Sequence, residues 1–279
     1  MALFHMQTNV KSIDGREMPL MTVIAESLRF IAGRAFIKLE EQIGKVNKKK
    51  IRWVLTVPAL WSEEHKLFMR KAAVEAGIID HSNSANLLLC LEPEGASIQC
   101  REDAEESIKY QMTKGTVILV LDCGGGTVDI TVHKLNCDPQ ENFLCEEILP
   151  SSGGCEWGSK YVDKYFEEFL KEFFGNELYD IYIKNAIARL EILKHFEMLK
   201  RKFNPGHDDR SRLQLSYLSE DLTPSKLTEL IEKHNKKHQP DFHLKQRGTS
   251  CVDLPSALMI SFFQPLFENI KSKVTQSYC

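Results

Sequence analysis

Three consecutive glycines stand between two acidic residues in the segment Asp-Cys-Gly-Gly-Gly-Thr-Val-Asp, which runs from Asp122 to Asp129. Glycine tolerates positive φ and has no Cβ to keep a ligand away, so backbone N–H groups in such a turn can converge on one point. Concavities of this kind bind anions, and two carboxylates with the hydroxyl of Thr127 would suit a hydrated magnesium ion held beside a phosphate. The segment therefore predicts a phosphate-binding turn, although a hairpin turn without a ligand is the alternative. The predicted turn residues are Gly124, Gly125, Gly126 and Thr127, with Asp122 and Asp129 as the predicted metal ligands.

Other residue types with metal or nucleotide chemistry give weaker patterns. The sequence contains neither a Gly-x-x-x-x-Gly-Lys-Ser/Thr loop nor a Gly-x-Gly-x-x-Gly turn, which argues against P-loop and Rossmann sites. Eight cysteines are scattered without a Cys-x-x-Cys pair, so reduced thiols are predicted rather than a disulfide framework. His234, His238 and His243 lack the flanks of a metalloprotease helix, and we interpret them as residues of a solvated loop.

Two strands must hold the glycine turn in place. The apolar run from Thr116 to Leu121 and the alternation at Val128, Ile130 and Val132 predict a β-hairpin around it. Upstream, the sequence predicts a long helix over 20–43, a strand over 51–57, a helix from 62 to 76, and a strand over 87–91 followed by helical residues 96–100. Strands that alternate with helices indicate an α/β protein.

Downstream of residue 150 the pattern becomes mainly helical. An aromatic stripe over 161–173 and an amphipathic segment over 186–202 predict two core helices. Residues 207–254 are expected to be polar and irregular with one short helix at 227–233, before a last helix over 255–274. The charged segment 101–106 is the best candidate for a linker.

Composition excludes several classes of protein. Lys and Arg total 36 against 39 Asp and Glu, so the net charge of −3 disfavours a general nucleic-acid binder. No apolar run approaches the 18 or more residues of a membrane span, and the first residues lack a signal-peptide layout. We expect a cytoplasmic protein, with the nucleus as the alternative because Lys45 to Lys50 is a basic stretch.

Several motifs, in order along the chain, carry a resemblance to a known family. They are Val-Pro-Ala-Leu-Trp at 57–61, Leu-Glu-Pro-Glu-Gly-Ala at 91–96, the glycine turn, Ser-Gly-Gly at 152–154, Glu-x-x-Lys-Arg at 197–201 and Leu-Phe-Glu-Asn at 266–269. The chain resembles the heat shock protein 70 family of the actin-like ATPase superfamily, and its divergent member-twelve branch in particular. The resemblance implies a partial actin-like α/β fold of two lobes of mixed sheet with helices. We expect the first lobe and linker over 1–112 and the second lobe over 113–279, with a mainly helical subdomain at about 153–254.

The resemblance also implies roles for individual residues. Glu92 would position the attacking water, the glycine turn would contact the β- and γ-phosphates, and Asp122 and Asp129 would organise Mg²⁺. The remaining nucleotide-binding residues would be Gly153, Gly154, Glu197, Lys200, Arg201 and Asn204. Alternatives stay open: Glu92 could cap a helix, Thr127 could be an ordinary strand residue, and Lys200 with Arg201 could form a solvated helix end. Cys155 and Asn204 depart from the family pattern, which predicts looser adenosine contacts.

What the resemblance implies for function is binding of ATP or ADP with Mg²⁺ between two lobes, and slow ATP hydrolysis. The family carries an Asp-x-Gly-Thr/Ser phosphate loop and a catalytic-lysine segment near its beginning, and a Gly-Gly-x-x-Arg loop after the last helix. The sequence contains none of these three motifs. We therefore expect a chain truncated at both ends, with impaired catalysis. The alternative is a non-catalytic interaction module with unidentified protein partners. A sugar kinase is disfavoured because no phosphate-acceptor signature is found.

Overall fold

The structure is a computed structural model that describes residues 8–12, 15–105, 111–136, 145–149, 157–206 and 211–278. These residues form ten strands and seven α-helices, and they divide into two compact units. The first unit comprises Met1–Cys123 and Val128–Cys155, and the second comprises Gly124–Thr127 and Glu156–Cys279. Helices and sheets of both pairing types confirm the predicted α/β class. The expected boundary between two lobes near residue 112 stays a prediction.

The first unit contains three helices and seven strands among its described residues. They are β1 Asn9–Lys11, β2 Glu17–Pro19, α1 Leu20–Ile43, β3 Trp53–Val57, α2 Glu63–Glu75, β4 Leu87–Leu91, α3 Glu92–Asp103, β5 Val117–Cys123, β6 Val128–Leu135 and β7 Cys145–Leu149. Strands β3 and β4 pair in parallel with Trp53 opposite Leu87, as expected for strands joined through a helix. That helix, α2, begins where the Ser62 side chain accepts a hydrogen bond from His65 N.

A hairpin and a third strand form the sheet that carries the two aspartates. Strand β5 pairs antiparallel with β6, and β6 pairs antiparallel with β7, so β6 lies in the centre. Ile130 and Val132 of this central strand are buried, whereas Leu119 and Leu121 of β5 are exposed. Both faces of the central strand are enclosed, which is why even its polar positions, such as Asp129 and Thr131, are buried.

The second unit consists mainly of helices around an aromatic core. Its elements are α4 Lys160–Lys184, α5 Ala186–Lys202, β8 Ser211–Gln214, α6 Pro224–Lys237, β9 Lys245–Arg247, β10 Cys251–Leu254 and α7 Ser256–Tyr278. The rings of Phe166 and Phe196 stack with centroids 3.7 Å apart, which joins α4 to α5, and Phe262 of α7 meets both edge-on. The aromatic stripe is thus core, as predicted. Gly175, with a φ of 71°, interrupts the helical conformation inside α4.

Three expectations for the chain outside the glycine turn are wrong. The part of the expected irregular segment 207–254 that the structure describes, 211–254, is not irregular with one short helix, because β8, β10 and β9 form a three-stranded antiparallel sheet and α6 runs from 224 to 237. His234 lies buried in α6 rather than in a solvated loop, and burial and the neighbouring His238 lower its pKa. The expected linker begins inside α3, where Arg101 is buried; residue 106 lies outside the described residues.

Across the part of the chain that the structure describes, no helix is long and apolar enough to span a bilayer.

Candidate functional site

The glycine turn is held by backbone hydrogen bonds to the start of α4. Gly124 N donates to Thr127 O over 3.0 Å, which closes the turn. The carbonyl oxygens of Gly124 and Gly125 accept hydrogen bonds from Ser159 N at 3.1 Å and Lys160 N at 2.9 Å. The first N–H groups of a helix have no partner inside the helix, so the turn satisfies them. One side of the turn is therefore occupied by α4.

The N–H groups of the same turn are differently placed. Among the described residues, no hydrogen bond uses the N–H of Gly125 or Gly126. A Cβ built on Gly125 would meet nothing within 4 Å, so this residue borders open space. Unused N–H groups beside open space are what an anion requires of a backbone turn.

The reason for glycine in this region is close approach. None of the three turn glycines has positive φ, so the turn does not use the conformational freedom that glycine offers. The tightest constraint lies at Gly158, where a Cβ would be 2.5 Å from both Gly125 O and Gly126 C. A side chain at Gly158 would push α4 away from the turn.

Three carboxylates form an acidic group in the first unit. Asp122 of β5 lies directly opposite Asp129 of β6 in the hairpin register, and Asp129 is only 2% exposed. Burial raises the pKa of Glu92, and the charges of Asp122 and Asp129 raise it further. Glu92 is the first residue of α3, but the capping contact there is made by Glu94, whose Oε2 accepts from Leu91 N at 3.3 Å. The alternative of Glu92 as the capping side chain is thus not supported.

The donor set of this acidic group fits a hydrated magnesium ion. Within the described ranges, no group of three or more His, Cys, Asp or Glu side chains is arranged to hold a metal ion. Magnesium, however, usually keeps several waters and binds one or two carboxylates together with phosphate oxygens. Asp122 and Asp129, opposite each other in the register, supply that number of carboxylates. The charges of Asp122 and Asp129 repel the charged form of Glu92, and a bound cation would reduce this repulsion.

The Glu-x-x-Lys-Arg residues lie on the last two turns of α5. Lys200 is only 7% exposed, and its ammonium lies 2.7 Å from Asp163 Oδ1 and 2.5 Å from Glu197 Oε2. Arg201, in contrast, is 79% exposed and its Nε donates to Glu197 Oε1 over 2.8 Å. The Lys200 hydrogen bond is the main reason why the pKa of Glu197 is lowered. Lys200 therefore joins two helices, whereas Arg201 and Glu197 present polar groups to solvent.

The first turn of α4 links the glycine turn to α5 within the second unit. Lys160 N bonds the glycine turn, and Asp163, three residues further on, binds Lys200 of α5. Residues three apart occupy neighbouring positions on a helix surface. One helical turn thereby fixes both the predicted phosphate-binding backbone and the predicted adenosine-binding helix.

Three other predicted positions have different outcomes. Asn204 lies just after α5, where its Oδ1 accepts from Gly206 N at 3.0 Å in a local turn. Gly153 and Gly154 lie outside the described residues. The roles of all predicted site residues stay predictions.

Sequence reasoning missed three residues that position the site: Gly158, Lys160 and Asp163. The available signal was a Gly-Ser-Lys sequence immediately before the aromatic stripe, which places a glycine at the start of a helix. Periodicity marks the stripe as core but says nothing of what the first turn of that helix contacts.

Comparison with known proteins gives related sequences but no matching family model. The chain is 28% identical over 315 residues to human heat shock 70 kDa protein 12B, and the match covers 95% of this chain and 45% of that protein. It is 27% identical over 314 residues to human heat shock 70 kDa protein 12A, with 95% and 46% covered. The chain thus spans about half the length of the curated relatives it matches. This similarity confirms the resemblance to the heat shock protein 70 family and its member-twelve branch.

A likeness to solved structures is more distant. A non-polymerisable quadruple mutant of pCBH ParM aligns with a TM-score of 0.43 and 16% identity, over 82% of this chain and 53% of that one. A ParM filament from Clostridium botulinum aligns with a TM-score of 0.42 and 15% identity, over 90% and 60%.

Proposed function

We propose that this chain binds ATP or ADP, with the phosphates on the glycine turn. The observation that carries the proposal is the division of the turn's hydrogen-bonding groups. Its carbonyl oxygens are bonded to α4, while no described hydrogen bond uses the N–H of Gly125 or Gly126, and Gly125 borders open space. Backbone N–H groups fixed in this way bind phosphate without any reorganisation of side chains.

The adenosine side of the proposed site is the end of α5. Glu197 and Arg201 are exposed enough to bond the ribose or the base, and Lys200 acts as a positioning residue through Asp163. Charged hydrogen bonds of this kind are each worth about 1.5 to 3 kcal/mol. The similarity to the heat shock protein 70 family supports the assignment.

Magnesium would be held by Asp122 and Asp129, and when bound it would neutralise charge on the phosphates. Burial, together with the charges of Asp122 and Asp129, raises the pKa of Glu92, which favours proton acceptance by this carboxylate. We propose that it orients a water for slow ATP hydrolysis. Asp122 and Asp129 would bind the hydrated cation.

A second candidate is a non-catalytic interaction module that keeps this fold. The ion pairs of Lys200 favour this second candidate. Asp163 and Glu197 already pair with the ammonium of Lys200, so its charge is balanced without a ligand. In that case the Glu-x-x-Lys-Arg pattern serves to hold α5 against α4.

Calorimetric titration with Mg-ATP and Mg-ADP separates the two candidates. Gly125→Val should abolish binding while the protein stays folded, since the new side chain enters space that the structure leaves open. Gly33→Val in α1 is the matched control, because its Cβ also meets nothing within 4 Å. Unchanged affinity in Gly125→Val, or no heat of binding in the unmodified chain, would contradict the proposed function.

A further inference from the structure

We propose that Lys160 binds the phosphate chain of the nucleotide and makes the site selective for nucleoside di- and triphosphates over monophosphates. This inference rests on the proposed function above and adds a residue that the family resemblance does not supply.

Lys160 stands beside the glycine turn through both its backbone and its side chain. Its N–H donates to Gly125 O over 2.9 Å, so its Cα is fixed relative to the turn. Its ammonium would lie 3.8 Å from a Cβ built on Gly126. The positive charge is thus next to a turn residue whose N–H is unused among the described hydrogen bonds.

Among the described residues, no carboxylate forms an ion pair with the ammonium of Lys160. The side chain is exposed, and within the described residues its ammonium lies over the ring of Tyr161, 5.2 Å from the centroid. Two other lysines nearby have carboxylate partners: Lys164 has Glu168 at 4.0 Å, and Lys200 has two carboxylates. Asp163, which could have neutralised Lys160 from one turn away, binds Lys200 instead.

The chemistry of the ammonium fits a phosphate chain. Lysine carries a compact charge with three donors on a flexible stem, and it binds phosphate oxygens as a point charge. Backbone N–H groups hold one phosphate at a defined place, whereas a flexible cation beside them can follow the chain to the next. Its contribution should therefore grow with the number of phosphates and vanish for a ligand without them.

The test is a titration series with AMP, ADP and ATP on the full chain. Lys160→Met keeps the length and removes the charge, and Lys164→Met, one turn further along α4, is the matched control. We expect Lys160→Met to weaken ATP and ADP about 10- to 100-fold and AMP far less, in line with the loss of a charged hydrogen bond. Lys164→Met should bind all three as the unmodified chain does, and Lys160→Arg should restore most of the lost affinity.

Two results would overturn the inference. Equal ATP affinity in Lys160→Met and the unmodified chain would show that the ammonium does not reach the phosphates. An equal loss for AMP, ADP and ATP would show that the substitution disturbs the start of α4 rather than a charge contact.

Inorganic tripolyphosphate distinguishes failure of this inference from failure of the proposed function. If the unmodified chain binds tripolyphosphate but no nucleotide, the proposed function and the selectivity for nucleotides are wrong, and loss of tripolyphosphate binding in Lys160→Met would support only the contact between Lys160 and a phosphate chain. If the unmodified chain binds neither, both are wrong.

Discussion

The carboxylates of the two units respond to opposite surroundings. In the first unit, burial and the charges of Asp122 and Asp129 raise the pKa of Glu92. In the second, Lys200 and Arg201 lower the pKa of Glu197 by hydrogen bonding and charge. Both regions are predicted to bind the same nucleotide. Basic side chains stabilise the charged form of Glu197, whereas the neighbours of Glu92 destabilise its charged form.

This difference separates a cation that joins two helices from an acidic group that is proposed to bind magnesium. The ammonium of Lys200 pairs with two carboxylates, so its charge contributes to the α4–α5 contact. The charged form of Glu92 is destabilised by burial and by the charges of Asp122 and Asp129, and a bound cation would reduce this repulsion. Substitution of Lys200 should therefore change the stability of the protein, whereas substitution in the acidic group should change its response to magnesium.

The largest change in the free energy of unfolding is expected at Lys200 of the second unit. Lys200→Met removes the cation that Asp163 and Glu197 share, and should lower the free energy of unfolding by about 2 kcal/mol, less than the loss for a fully buried ion pair because both carboxylates are partly exposed. Urea unfolding with Lys194→Met as control measures it; Lys194 is exposed and pairs only with Glu191 three residues away among the described ion pairs. Equal midpoints for the two variants would mean that Lys200 does not hold the helices together.

Magnesium bound at Asp122 and Asp129 should stabilise the protein. At a concentration ten times its dissociation constant, a ligand that binds only the folded state adds about 1.4 kcal/mol. We expect Mg²⁺ to raise the melting temperature of the unmodified chain and of Asp180→Asn, a control position on α4. Asp122→Asn should lose the increase. An identical increase in all three proteins would place the bound ion elsewhere.

The pH dependence of stability should have opposite signs at Glu92 and Glu197. Because the folded pKa of Glu92 is raised, its destabilising effect is absent at low pH and develops as pH rises from about 4.5 through the folded pKa. Glu92→Gln should therefore gain roughly 0.5 kcal/mol at neutral pH, after allowance for solvent screening.

At Glu197 the folded pKa is lowered, so its stabilisation is present above pH 4.5 and is lost as pH falls through the folded pKa. Glu197→Gln should lose stability at neutral pH and converge with the unmodified chain in acid. Thermal melts between about pH 3 and 8 check both variants, with an effect on the order of a few tenths of a kcal/mol for Glu197. Parallel profiles for the two variants would remove the contrast between the units.

The smallest change in stability is expected at Arg201. Arg201→Met should alter the free energy of unfolding by at most about 0.5 kcal/mol, since the side chain is 79% exposed. If Arg201 contacts adenosine, the same variant should weaken ATP about tenfold in calorimetry. Unchanged ATP affinity in Arg201→Met would mean that Arg201 is a solvated residue at the end of the helix and does not contact adenosine.

Local patterns are sufficient to predict much of the fold. The hairpin that carries the glycine turn follows from strand alternation, and α5 runs from 186 to 202 as its amphipathic pattern predicts. The sheet of β8, β9 and β10 is missed because its stabilising contacts are remote in sequence. Asp253 is buried and bound by Arg212 of a distant strand as well as by Arg247. No local periodicity records such a pairing.

At the candidate site, residue types are predictable but their partners are not. The glycines of the turn signal a backbone site, yet the constraint that makes glycine necessary lies at Gly158, which is remote in sequence and reaches the turn through a tertiary approach. Likewise, the Glu-x-x-Lys-Arg spacing cannot tell that Asp163 of α4 engages Lys200.

The central claim is that the N–H groups of Gly125 and Gly126 bind a phosphate. Selective ¹⁵N labelling of the 15 glycines gives a spectrum simple enough to follow each amide during titration with ADP. The account predicts that Gly125 and Gly126 shift most, and that Gly33 and Gly248, distant in sequence, stay in place. Saturable ADP binding that leaves the signals of Gly125 and Gly126 unmoved would contradict it.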